Sequence, residues 1–152
     1  MKNYRFKEVK LRAYNKTAKK MFYSNQDGVA FINSKTGFSV VEIDLQNFNV
    51  EGVLADDEDS VLMNAVHFKD KHNNDIYEGD VVFFRRHIAK QLLPMVGVVM
   101  GKDFSYSINS GIEHFPMVYN DKDLEILGNI FENTDEELAK KAEEKISKYR
   151  TK

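Results

Sequence analysis

The tightest constraint in this sequence is the period of its apolar residues. From Val9 to Leu127 they come in short runs, many alternating with polar residues and separated by clusters of Asn, Asp, Ser, Thr and Gly. A period of two marks a strand with one buried face, whereas a helix requires a period of 3.6. Val9, Leu11 and Ala13 alternate with Lys10 and Arg12, and Val41, Ile43 and Leu45 alternate with Glu42 and Asp44. Tyr4 and Phe6 alternate in the opposite phase to Val9, which implies a bulge or a break near Lys7-Glu8. Further strands are read at Met21-Phe22-Tyr23, at Val29-Ala30-Phe31-Ile32 and from Val61-Leu62-Met63. Later ones fall at Val81–Phe84, at Val96–Met100, at Phe104, Tyr106 and Ile108, and at Leu124–Leu127. Turns are predicted at Asn15–Ala18, Ser34–Gly37 and Lys71–Asp75, where Asn closes a turn through its side chain or takes a left-handed backbone. Pro116 places Phe115–Tyr119 at a sheet edge or a strand start.

Two segments read as helical. Ile88–Leu93, stopped by Pro94, predicts one or two turns joining strands. Thr134-Asp135-Glu136-Glu137 has the capping-box spacing, and Leu138, Ala142, Ile146 and Tyr149 then recur at helical intervals. Acidic residues early in this segment and basic ones late suit the helix dipole. Its apolar stripe is thin, so it either packs on the sheet or pairs with another chain. Short strands with one terminal helix predict a mainly β protein. The expected architecture is a small SH3-like barrel built around residues 76–131, with an N-terminal β-hairpin region and a C-terminal α-helix. As one domain, this divides into a β region at 1–60, a barrel core at 61–133 and the helix at 134–152.

Composition narrows the chemistry. With 152 residues the chain can bury a core unaided, and the absence of Cys excludes disulfides, zinc-thiolate sites, iron–sulfur clusters and thiol nucleophiles. No apolar run approaches the about 18 residues of a membrane span. The basic start has no apolar segment behind it, so it does not read as a signal peptide. A soluble intracellular domain is expected. The net charge of −2 hides an asymmetry: residues 1–50 hold nine Lys/Arg and four Asp/Glu, and the remainder thirteen and twenty. The basic first strand, with Lys10 and Arg12, either touches phosphate or an acidic partner, or is a solvated face that pairs with the protein's own acidic half. The acidic run Asp56-Asp57-Glu58-Asp59 lacks the Gly and the ligand spacing of a calcium loop and reads as a mobile, solvated loop.

No catalytic constellation emerges. Gly97-Val98-Val99-Met100-Gly101-Lys102-Asp103 is one residue short of a P-loop, and Asp103 stands where Ser or Thr would hold magnesium. Gly97 and Gly101 therefore read as strand-bulge and turn residues. His67, His72, His87 and His114 lack the spacing of a helical metal pair, and no nucleophile elbow occurs. Arg85-Arg86-His87 with Lys90 is the densest basic cluster beyond the N-terminus, read at a strand end or loop. With Phe83, Phe84, Phe104 and Tyr106 it suggests a small-barrel nucleic-acid surface, or else a solvated loop over core aromatics. No metal or cofactor is expected.

One set of blocks is distinctive. Leu62-Met63 is followed by Lys69-Asp70-Lys71 and then by Asp75-Ile76-Tyr77-Glu78-Gly79-Asp80-Val81-Val82. Val9–Asn15 with Lys19-Lys20-Met21 precedes them, and Leu124–Asn133 follows. In this order the blocks resemble the YopX family, found in phages and prophages. Val66-His67 departs from the family's Thr-Gly, and His72-Asn73 from its Asn-Gly. The motif residues Ile76, Tyr77, Glu78, Gly79, Asp80, Gly128 and Asn129 read as structural: Gly79 for a positive φ, Asp80 as an acceptor of backbone N–H groups, Gly128 at a strand bulge, and Asn129 with Asn133 capping the turn into the helix. The resemblance brings no enzymatic activity with it. It implies a phage or prophage origin and the bacterial cytoplasm.

The expected function is that of a non-enzymatic accessory protein acting on a protein partner. The alternative is a nucleic-acid-binding small barrel using Lys10, Arg12, Arg85, Arg86 and Lys90. Homo-oligomerisation is compatible with either.

Overall fold

Asn15 shows how the chain's turn chemistry works. Its Oδ1 accepts the N–H groups of Thr17 (3.0 Å) and Ala18 (2.9 Å), closing the turn between β1 (Leu11–Asn15) and β2 (Lys20–Tyr23). In the computed structural model, residues 9–102, 105–117 and 122–150 are described. Among them, twelve strands precede one helix, so the protein is mainly β with a C-terminal helix. The chain forms two compact units, one ending at Ala65 and the other beginning at Val66. No helix among the described residues is long and apolar enough to cross a membrane.

In the first unit β1 lies between β2 and the first part of β6 (Ser60–Lys69), antiparallel to both. A three-stranded antiparallel meander follows the order β3 (Val29–Ser34), β4 (Gly37–Asp44), β5 (Asn49–Asp56). Ala13, Phe22, Val40 and Ala55 form the buried centre of this unit, with Phe31, Phe38 and Leu54 packed against it. The strand at 49–56 is absent from the sequence reading. Its register against β4 shifts twice, which leaves Glu51 and Leu54 without a directly opposite residue and erases the period of two. Arg12 is a correction. The alternation placed it on an exposed face, yet it is only 3% exposed, on the face it shares with Tyr23 and the buried Met63.

In the second unit β7 (Asp75–Tyr77) is β6's neighbour in sheet order, and a five-stranded sheet follows. That sheet runs β11 (His114–Pro116), β10 (Ser105–Asn109), β9 (Gln91–Lys102), β8 (Asp80–Ile88), β12 (Glu125–Asn129). Val66, Ile76, Val82, Phe84, Val99, Ile108 and Leu124 make its core. Pro116 sits on the edge strand β11, where its missing N–H costs no ladder bond. Tyr4, Phe6, Asp103, Phe104 and residues 118–121 lie outside the described residues.

Ile88–Leu93 is not helical. Ile88 and Gln91 pair across a two-residue hairpin, with Ala89 at φ 49° and Lys90 at φ 69°. Left-handed backbone at both central positions is the geometry that matches the twist of flanking strands. Pro94, read as a helix stop, instead pairs with Arg85 inside β9. Gly97 and Gly101 are not bulge and turn residues either; they stand in regular register opposite Val82 and Tyr106. Gly97 is required for close approach, since a Cβ there would come within 2.5 Å of Ile108 Cγ2 and 2.7 Å of the Asn109 carbonyl oxygen. Gly128 does mark a bulge, where β12 shifts register against β8.

The helix α1 (Asp135–Arg150) starts with its capping box formed. The Glu137 N–H donates to Thr134 Oγ1 and the Thr134 N–H to Glu137 Oε2, each at 3.2 Å. Leu138 is buried, the Tyr149 ring stacks on Phe83 at 5.2 Å, and Lys141 Nζ donates to the Leu127 carbonyl. The thin apolar stripe thus packs on the unit's own sheet. Gly97→Ala should lower stability by about 1–3 kcal/mol through overpacking, read as a lower urea midpoint.

Candidate functional site

Among the motif residues Asp80 and Asn129 are buried acceptors of backbone N–H groups. The Asp80 carboxylate, 2% exposed, accepts the Tyr77 N–H at 2.8 Å across a turn in which Gly79 has φ 86°. The Gly79 N–H donates to the Val99 carbonyl, and the Gly79 carbonyl accepts the Ile130 N–H. Asn129 Oδ1 takes the N–H groups of Phe131 and Glu132, while Asn133 Oδ1 takes that of Asn129. A Cβ at Gly128 would collide with the Asn133 amide. Ile76 and Tyr77 are buried.

Asp70, buried within the same region, binds more backbone than its place in the motif suggests. It accepts the His72 and Asn74 N–H groups at 2.9 Å, the Asn74 side-chain amide, and the Ile126 N–H at 3.4 Å. Burial works to raise its pKa, but these hydrogen bonds, led by the Asn74 backbone, hold it below the usual value. Asn73 takes the left-handed conformation at φ 66°.

Next to it lies a charge cluster that sequence reasoning missed. Glu125 pairs with Lys71 (2.9 Å), with His72 (3.4 Å) and with Lys145 of α1. Burial pushes its carboxyl up, while hydrogen bonds from Lys145, Lys71 and His72 outweigh that and hold it at about 2. The Lys71 ammonium is correspondingly raised, chiefly by its bond to Glu125.

The basic cluster does not assemble as a surface. Arg85 and Arg86 are successive residues within β8, so their side chains leave opposite faces. Arg85 Nε binds Asp123 at 2.8 Å and its guanidinium lies 4.7 Å from the Tyr149 ring centroid. Arg86 donates to the Pro116 carbonyl and lies over the Phe84 ring. Lys90 is exposed at the hairpin tip, Lys10 is half-buried and Arg12 is buried.

Two further groupings are polar. His67, an exposed β6 residue, meets Tyr106 edge to face with ring centroids 6.5 Å apart. Burial, and then the Glu78 charge, raise the Tyr106 hydroxyl pKa. Among the described residues no group of three His, Asp or Glu is placed to hold a metal ion. In the acidic run Asp57 Oδ1 accepts the Phe38 N–H, and Asp56 Oδ1 that of Glu58.

The feature least expected is apolar. The turn from β4 to β5 is closed by Asp44, whose Oδ1 accepts the Gln46 and Asn47 N–H groups. It presents Leu45 and Phe48 outward, 61% and 85% exposed, with Phe48 at φ 56°. The Asp44-Leu45-Gln46-Asn47 run was the available signal, an Asp followed two and three residues later by its own backbone donors.

A model of the family described as YopX protein matches residues 10–136. Among solved structures, the X-ray structure of protein yopX from Bacillus subtilis is similar, with a TM-score of 0.62 at 15% identity. The match covers 83% of this chain and 93% of that one, and at this identity it concerns the fold alone. No curated protein matches significantly.

Asp80→Ala removes the acceptor of the Tyr77 N–H and should cost about 1–3 kcal/mol in chemical denaturation. Glu125 has a depressed pKa in the folded state, so its contribution is present above the ordinary value of 4.5 and is lost as pH falls through that value towards about 2. Glu125→Gln should flatten the urea midpoint across that window; a slope identical to that of the wild type would show that other carboxylates carry it.

Proposed function

Because the chain belongs to the YopX family, its model spanning residues 10–136, we propose that it is a non-enzymatic accessory protein of a phage or prophage that acts in the bacterial cytoplasm by binding a protein partner. The observation that carries this reading is the exposed apolar set on β3, β5 and the β4–β5 turn, side chains of the kind that protein interfaces cover. The motif supports the non-enzymatic part. Asp70, Asp80, Asn129 and Asn133 all use side-chain oxygens to hold backbone N–H groups, which is the work of residues that maintain a fold. The SH3-like barrel is retained for residues 76–131, on the ground that β12 returns beside β8 next to the β8–β9–β10 meander. Nucleic acid is the weaker reading, since Arg12 is buried and Arg85 faces Asp123.

Tagged full-length protein incubated with lysate of a bacterial host should retain a discrete protein in near-stoichiometric amount, unaffected by nuclease. Retention of nucleic acid, steeply weakened by salt, would favour the alternative; turnover of a substrate by the purified chain would overturn the non-enzymatic reading. Light scattering on the same sample reads self-association separately.

A further inference from the structure

The meander of the first unit has two different faces. The register of β3 against β4 is unbroken from Val29↔Glu42 to Ser34↔Gly37, so β4 side chains alternate regularly. Directly opposed residues share a face. One face carries Phe31, Val40 and Ala55 into the core. The other carries Ile32, Val50 and Val53, which are 47%, 61% and 64% exposed, around a buried Val41. Leu45 continues the phase of Val41 and Ile43, and Phe48 stands beside it on the turn. Single exposed apolar side chains are ordinary, but five gathered on one face and its adjoining turn call for a cover. A bulky residue such as Phe48 seldom adopts a left-handed backbone, and its retention there without burial points the same way.

Charge identifies the cover. Between Lys35 and Lys69 the chain holds seven Asp/Glu and no Lys or Arg. Asp56, opposite Ser39, shares the apolar face, Glu51 lies exposed on β5, and Asp57 and Glu58 on the turn that follows; the exposed Glu42 leaves β4 on the other face. Nucleic acid and anionic lipid are repelled by such a border. A second copy docking through the same face would set carboxylates against carboxylates. β5 is the outer strand of its sheet, and its residues 49–51 and 53 are exposed. An extended segment can therefore lie along it. Resting on the partner-binding reading, we infer that β5 and the β4–β5 turn dock an extended, basic and apolar segment of a protein partner.

The test uses the full-length chain and a fluorescein-labelled peptide of alternating Leu and Lys, with a Leu/Glu peptide as control. The Leu/Lys peptide should bind the wild type with an affinity that falls as salt rises, and the Leu/Glu peptide should not bind. Phe48→Asn and the double variant Val50→Thr, Val53→Thr should each weaken binding by about tenfold or more. Asn tolerates the left-handed backbone, so the first variant should keep the wild-type urea midpoint and circular dichroism or improve on them. Unchanged affinity in both variants, or equal binding of the Leu/Glu peptide, overturns the proposal. Variants that abolish wild-type self-association while leaving peptide binding intact also overturn it, in favour of a second copy. Lysate capture separates the two levels. If wild type and Phe48→Asn retain the same partner equally, partner binding stands and this surface is wrong. If the wild type retains nothing and turns over a substrate, the underlying reading fails and the proposal with it.

Discussion

A buried carboxylate organises the second unit. Asp70 sits in a tight turn and takes backbone N–H groups from within that turn and from Ile126 in β12, far along the chain. It thereby helps fix where β12 lies. Glu125, the neighbouring residue, meets Lys71 and His72 from the same turn and reaches Lys145 on α1. Turn, strand and helix are joined through two adjacent carboxylate contacts, one neutralised by backbone dipoles and the other by ammonium groups. Removing a partner from such an arrangement strands a charge, which costs more than the contact itself is worth.

Asp80 and Asn129 repeat the device at other corners: a short side chain receives N–H groups that a tight turn leaves without ladder partners. Family resemblance concentrated in such residues is a resemblance of architecture. The surface of the β4–β5 hairpin lies outside these motif blocks.

Much of the architecture was legible because the rules involved are local. Asn15, Asn73 and the Thr134–Glu137 box each act within about four residues, and each was readable from spacing. What escaped depends on neighbours distant in sequence. Arg12 reads as outward until it is seen to share a face with the buried Met63 of β6. The Ala89-Lys90 turn has neither Gly nor Asn, so its left-handed pair left no compositional mark, and Pro94 suggested a helix stop. β5 lost its period to two bulges. At the candidate site the motif residues and their turn roles were visible. The Glu125 cluster was not, because it joins residues 54 and 20 positions from Glu125 (Lys71 and Lys145). Nor was Phe48, since an apolar residue in a sequence does not announce whether it is covered.

The Asp44-closed turn has a thermodynamic consequence. Its backbone has already surrendered its freedom in the unliganded protein, held by two N–H bonds to one carboxylate oxygen and by the Asn47 amide on the other. Whatever settles on Leu45 and Phe48 need not immobilise the loop that bears them. The ordering entropy of association then falls almost wholly on the incoming chain, and ligands of equal contact area should rank by their own stiffness.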